Sequence, residues 1–215
     1  MNSTRLLLID DHPLFRNGLA QLFAASEDFD VVGQAGSGRE GIAMAVNLAP
    51  ALVLLDLHMP GLSGLQVLDE LRQLQLGCKI MVLTASIDRD ELLTAMRLGA
   101  NGYVLKETEP DALLCHVRNC GQGAVILDDS LATLLSEQPL QSPVLDGSLT
   151  EREGQTLSLI ALGMSNKQIG RELGISDGTV KVYVKSLLKK LRLHSRLELA
   201  AWVHRFTVPD RPRSH

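Results

Sequence analysis

The sequence predicts an α/β domain built on a doubly wound parallel sheet of five strands, followed by an all-α domain of four helices. Three observations carry this. Over roughly the first 120 residues, short runs rich in Leu, Ile and Val alternate with segments of helical period, as βαβ units around a buried parallel sheet require. From Leu149 onward, helical periodicity alone remains. The charge changes sign at the same place: residues 1–147 hold 9 Lys+Arg against 19 Asp+Glu, and residues 148–215 hold 12 against 6, so the overall −4 conceals −10 and +6.

The strands are expected at Leu6–Ile9, Asp30–Gly33, Ala51–Leu55, Lys79–Thr84 and Gly102–Leu105. The helix after the first, Pro13–Ala25, aligns Leu14, Phe15, Gly18, Leu19, Leu22 and Phe23 on the stripe that a helix lays on a sheet. The same steps of three and four recur at Ile42, Val46 and Ala49, at Leu65, Leu68, Leu71 and Leu74, and at Leu92, Ala95, Met96 and Gly99. Right-handed crossovers then make the doubly wound topology the economical one, and in it function collects at the carboxyl ends of the strands.

Pro139, Pro143 and Gly147 mark an exposed linker. Division is therefore expected into a first domain at 1–125, a linker at 126–147 with a short helix in its first half, and a second domain at 148–215. The latter's helices are expected at Thr150–Leu162, Ser165–Leu173, Ser176–Leu191 and Ser195–Phe206. With 45% hydrophobic, 21% charged and 3% aromatic residues in 215, the chain is globular rather than disordered. No run of about 18 apolar residues suits a membrane span, and aspartates interrupt any secretory core, so a cytoplasmic location is expected. Cys78, Cys115 and Cys120 match no metal or redox spacing and read as reduced thiols with a buried structural role.

Five polar residues fall at strand ends. Asp10 and Asp11 follow the first strand and Asp56 the third, while Thr84 ends the fourth and Lys106 follows the fifth. Three neighbouring carboxylates repel unless a cation joins them, and Mg²⁺ suits a few carboxylates plus carbonyl, water and phosphate oxygens. An aspartate nucleophile with a hydroxyl and an ammonium beside it is equipped to accept a phosphoryl group on Asp56.

LLLIDDHPLFRNGL, LVLLDLHMPGLSGLQVL, MVLTAS and GANGYVLKE resemble the receiver domain of two-component response regulators, over about residues 4–122. The resemblance implies the flavodoxin-like receiver fold and a phosphoacceptor at Asp56. It places Asp11, Asp56 and the His58 backbone carbonyl on Mg²⁺ with Asp10 nearby, Thr84 and Lys106 on the phosphoryl oxygens, and Tyr103 as the switch aromatic. The His12 and His58 side chains show no zinc spacing and read as surface histidines. Pro60 and Gly61 form a turn at the pocket rim.

In Ser176–Leu191, Val180, Val184, Leu187, Leu188 and Leu191 form one buried stripe, while Lys181, Lys185 and Lys189 line an exposed edge at steps of four. A shorter helix ending at Gly174 precedes it, the layout of a helix-turn-helix whose second helix enters the major groove. The segment from Leu149 to Trp202 resembles the LuxR-type module, and the two resemblances together point to the NarL/FixJ family. By that analogy Lys181, Val182 and Lys185 face bases, Lys167, Thr179 and Lys189 contact phosphates, and Leu197, Ala200, Ala201 and His204 form a dimer surface. Packing of this last helix against its own domain is the competing reading. Gly154, Thr156, Gly170 and Tyr183 depart from the family pattern, and an interior glycine costs about 1 kcal/mol against alanine.

The expected function is a DNA-binding transcriptional regulator, phosphorylated by a sensor histidine kinase and homodimeric on promoter DNA. Overall similarity makes nitrate or nitrite the expected signal. A haloacid-dehalogenase-like phosphohydrolase is disfavoured because His58 stands where such enzymes carry a second acid. A ligand-sensing LuxR-type regulator would have no need of the acidic cluster. The opposite charges of the two halves suggest attraction between the domains that occludes the DNA-reading helix before phosphorylation.

Overall fold

The computed structural model describes residues 3–127 and 149–206, without the side chains of 204–206. Alternation in the first strand already sorts the core. In β1 (Thr4–Ile9), Leu6 and Leu8 enter one apolar cluster while Leu7 and Ile9 enter another. β2 (Phe29–Ala35), β3 (Leu52–Asp56), β4 (Lys79–Thr84) and β5 (Gly102–Leu105) join it as parallel neighbours in the order β2-β1-β3-β4-β5. The strand edges lie within about two residues of those read from sequence. A sixth parallel strand, β6 (Ile126–Leu127), pairs with β5 through Gly102 and Tyr103, at residues assigned by sequence to the start of the linker. The short helix expected in 128–148 lies outside the described residues.

Helices α1 (Pro13–Ala24) and α5 (Pro110–Gly121) cover one face through Leu19, Phe23, Leu113 and Val117. The other face receives α2 (Gly38–Leu48), α3 (Gly64–Gln73) and α4 (Arg89–Arg97) through Ala45, Val67, Leu68, Leu71, Leu92, Ala95 and Met96. Five expected core positions are exposed: Leu14, at 90%, together with Gly18, Val46, Ala49 and Leu74. Leu14 sits in the first turn of α1, whose buried residues are Leu19 and Phe23, further along the helix. Buried Cys78 and Cys120 have thiols pushed up by burial, the latter to about 12, whereas Cys115 is exposed, against the expected buried role.

The second domain comprises α6 (Glu151–Ala161), α7 (Asn166–Leu173), α8 (Asp177–Leu191) and α9 (Arg196–Phe206). Thr150 with Glu153, and Ser165 with Gln168, form reciprocal capping boxes at the starts of α6 and α7. α7 ends at Gly174 in the left-handed region, and the Ser176 hydroxyl caps α8 by accepting from Thr179 N at 3.0 Å. Glu153 also accepts from Ser186 Oγ at 2.6 Å and Lys190 Nζ at 2.7 Å on α8. Burial by itself would raise this carboxyl, but the Lys190, Ser186 and Thr150 bonds outweigh it and hold the pKa at about 2.

The two interior glycines differ. At Gly154 an added Cβ would meet nothing within 4 Å, whereas at Gly170 it would lie 2.7 Å from the Ile175 carbonyl oxygen. The tight turn between α7 and α8 thus uses the missing side chain of Gly170. Gly154→Ala should stabilise the chain by up to about 1 kcal/mol, and Gly170→Ala should destabilise it by about 1–3 kcal/mol, both read by urea unfolding. The depressed carboxyl of Glu153 contributes stability that is complete above its ordinary value near 4.5 and is lost as pH falls toward 2. Urea midpoints across that window should therefore fall more steeply for the native chain than for Glu153→Gln.

Candidate functional site

Asp10 leaves the carboxyl end of β1 and Asp56 ends β3, its immediate neighbour in the sheet, so topology sets the two carboxylates side by side. Lys106, just past β5, reaches both: its Nζ lies 2.8 Å from Asp10 Oδ2 and 2.8 Å from Asp56 Oδ2. Its backbone N donates to the Thr84 carbonyl at 2.8 Å, tying the lysine loop to the end of β4. Asp10, Asp56 and Thr84 are buried and the Lys106 side chain is 11% exposed. Burial works against the ammonium, but its bonds to Asp10 and Asp56 outweigh that and hold its pKa above the ordinary lysine value.

Close packing shapes the floor. Gly64, first residue of α3, approaches the end of β3 so closely that a Cβ there would lie 2.1 Å from the Asp56 carbonyl oxygen. His58 N donates to Asp56 Oδ1 at 3.2 Å, and His12 N to Asp10 Oδ1 at 2.8 Å, so both loops pin a carboxylate through backbone. Arg16 holds the Asp10 carbonyl, and Phe15 lies under the Lys106 ammonium at 4.9 Å.

The acid set includes one residue that the sequence led us to read as a surface histidine. His12, 62% exposed, places Nδ1 at 3.0 Å from Asp11, 3.3 Å from Asp10 and 3.7 Å from Asp56. Ligand atoms of Asp10, Asp11, His12 and Asp56 all lie within 4.8 Å of one another. The signal was its place directly after the acid pair, in the turn leaving β1. His58, also exposed, meets Glu91 of α4 at 3.0 Å. Asp10 Oδ2 and Asp11 Oδ1 are buried without a well-directed hydrogen bond, despite Lys106 and His12 at ion-pair distance. Buried oxygens with spare acceptor capacity are a donor set that suits a hard divalent cation.

Thr84 Oγ accepts from Ser86 N at 3.1 Å. Tyr103 is wholly buried on β5, and its hydroxyl makes no well-directed hydrogen bond, although the Thr84 hydroxyl stands near it. Burial raises its pKa, the carboxylates of Glu91 and Asp88 add to this, and the Thr84 hydroxyl partly offsets it.

On α8, Lys181, Val182, Lys185 and Lys189 are exposed, Val182 at 65%, and Lys167 on α7 is exposed as well. The expected base-facing and phosphate-facing side chains thus share the solvent side of the two helices. Thr179 is half-buried, its hydroxyl 2.9 Å from Ser176 Oγ, and Lys181 is paired with Asp177 at 3.7 Å. The dimer set differs from expectation. Leu197, Ala200 and Ala201 are buried within the chain, because α9 packs on α6 and α8 and also touches α4 and β6. The small residues serve this close packing, and the His204 side chain lies outside the described residues.

Among the described residues, the close ion pairs lie within the domains rather than between them. Lys106 with Asp10 and Asp56, Arg118 with Asp28, and Lys190 with Glu153 all pair within a domain. One apolar cluster runs from the sheet face of Val82 and Tyr103 through Val125 to Leu157, Leu197 and Ala200.

The fold and site define the class: an aspartate-bearing receiver joined to a helix-turn-helix module. Sequence comparison agrees, since the response regulator receiver domain matches residues 6–118 and the bacterial regulatory proteins of the luxR family match residues 147–203. The chain is 47% identical over 193 residues to a nitrate/nitrite response regulator protein homolog of Haemophilus influenzae, covering 90% of this chain and 92% of that one. It is 43% identical over 203 residues to the nitrate/nitrite response regulator protein NarL of Escherichia coli, covering 93% and 94%. The crystal structure of response regulator ChrA, from a heme-sensing two-component system, matches at 29% identity and a TM-score of 0.54, covering 94% and 97%. The chain belongs to the NarL/FixJ family of two-component response regulators, with a LuxR-type DNA-binding domain.

The buried Tyr103 hydroxyl gives a test of the site's packing. Tyr103→Phe removes a buried polar atom that makes no well-directed hydrogen bond and should leave stability unchanged or raise it by about 1 kcal/mol in urea unfolding.

Proposed function

We propose that a sensor histidine kinase phosphorylates this regulator on Asp56 and that the modified form binds promoter DNA as a homodimer. The observation that carries the reading is the Asp10–Lys106–Asp56 bridge at the strand ends, with Asp11 and Thr84 beside it. In the transfer, the phosphorus–nitrogen bond of a kinase phosphohistidine breaks as a bond forms to an Asp56 carboxylate oxygen. Asp11 and Asp56, with the His58 carbonyl and with Asp10 nearby, would hold Mg²⁺, which supplies charge neutralisation at the phosphoryl oxygens. Lys106 exchanges part of its pairing with Asp56 for the new phosphoryl charge, and the Thr84 hydroxyl turns to a phosphoryl oxygen.

Tyr103 reports that rearrangement to the surface. It stands on β5 next to β6, in the apolar cluster that also takes in α4 and the buried side of α9. Movement there parts α9 from α4 and β6, and the side of α9 that this frees, with Ala200 on it, becomes available for dimerisation. Leu197 and Ala201 stay in the packing of α9 on its own domain. The receiver takes in β6 and ends at 127, the linker follows it up to 147, and the effector domain spans 148–215. On DNA, Lys181, Val182 and Lys185 read bases in the major groove, while Lys167, Thr179 and Lys189 hold phosphates.

The protein turns over no external substrate and acts in the cytoplasm; no helix among the described residues is long and apolar enough to cross a membrane. The signal is nitrate or nitrite, supported by the two nitrate/nitrite regulators at 43% and 47% identity. Asp56→Asn should abolish phosphate incorporation from a small-molecule donor with Mg²⁺, together with donor-stimulated promoter binding. Donor-stimulated binding that survives in this variant would defeat the mechanism. Asp11→Asn should lower Mg²⁺ affinity at least tenfold in calorimetric titration.

A further inference from the structure

The acidic pocket has a basic counterpart at the other end of the receiver. A cleft of about 300 Å³ opens between the domains. Lys79 and Asn101 line it from the receiver, and Lys167, Asp177, Lys181 and Arg196 line it from the helical domain. Among the described residues, four cations therefore meet a single carboxylate there, and Lys181 already engages that carboxylate at 3.7 Å.

Arg196 sharpens the point. Its guanidinium donates to Asn166 Oδ1 at 2.8 Å and to the Met164 carbonyl, both neutral, while its Nε is buried with no partner. Burial without an opposing charge pulls its pKa down to about 10. Like charges gathered in a cleft repel, and a partly desolvated cation without a counter-charge is costly. A guest anion relieves both. The Arg196 nitrogens are already engaged or sealed, so it contributes its charge while the lysine ammonium groups make the contacts. Among anions, a phosphate-bearing one suits several ammonium groups, and several negative charges suit the excess of cations.

We propose that this cleft binds a polyphosphate anion of about the size of pyrophosphate, clamped between receiver and effector domain. The bound anion cross-links Lys79 to Lys167 and Lys181 and so favours the closed arrangement of the domains. It also occupies two of the lysines assigned above to DNA, so anion and DNA compete; this consequence, unlike the binding itself, rests on the proposed DNA reading.

The test is calorimetric titration of the full, unphosphorylated chain with inorganic pyrophosphate, in metal-free buffer at constant ionic strength and without DNA. The expected result is saturable binding of one anion per chain, weakened at least tenfold in Lys79→Gln and unchanged in Arg152→Gln, an exposed site outside the cleft. Lys79→Gln leaves Arg196 and the helix-turn-helix intact, and far-UV circular dichroism checks its fold. A parallel titration with ADP separates the sources. Tighter binding of ADP assigns a nucleotide, and equal binding assigns the phosphates alone, both within the proposal. Absence of saturable binding, or binding that Lys79→Gln leaves intact or Arg152→Gln weakens equally, overturns it. Because no DNA or phosphodonor is present, these outcomes are independent of the transcriptional reading.

Discussion

Repulsion among carboxylates at the carboxyl edge of the sheet is the constraint around which the receiver is arranged. β1 and β3 are adjacent in the sheet, and each delivers an acid at its end. Such a pair is tolerable in a buried setting only with a positive charge between its members, and Lys106 supplies it with two contacts of 2.8 Å. The surrounding features serve that bridge. Thr84 fixes the lysine loop through its carbonyl, backbone N–H groups of the β1 and β3 loops hold the carboxylates, and Gly64 lets α3 begin against the Asp56 backbone.

An arrangement poised in this way responds to charge. In the proposed phosphorylation of Asp56, Lys106 and Thr84 exchange partners, and both side chains are closely confined. Their loops continue into β5 and α4, where the hydroxyl of Tyr103 lies buried without a well-directed hydrogen bond. A buried polar atom without such a bond is a weak point in a packed core, and its relocation costs little. The apolar cluster around it extends into the helical domain, so a local electrostatic event has a contiguous path to α9. The close ion pairs among the described residues do not cross between the domains. Net charge averages over whole surfaces, whereas the cleft is set by which side chains the fold brings to one edge, and at that edge Lys79 meets further cations.

The legible part of the fold was its local part. Apolar runs flanked by helical period located the first five strands, and the capping residues Thr150, Ser165 and Ser176 stand within a residue of the helix starts read from sequence. The candidate site was legible for a related reason: in a doubly wound sheet, strand ends converge, so Asp10, Asp56, Thr84 and Lys106 were placed by topology once the strands were known. His12 escaped because its role depends on how a turn folds back over its own acid pair. Leu14 misled because periodicity assigns a residue to a helix face without showing where along the helix contact with the sheet begins.

The sequence by itself determined the two-domain character, the parallel sheet, the acid cluster with its lysine, and the lysine-edged reading helix, since each follows from spacing along the chain. Tertiary structure alone decided the rest: the two-residue β6, the burial of Ala200 and Ala201 against the chain's own core, the buried setting of the Tyr103 hydroxyl, and the convergence of Lys79 with Arg196. These depend on contacts between residues tens of positions apart. Spacing encodes which face of an element is apolar, but the partner of that face is fixed only when competing long-range packings are resolved in three dimensions.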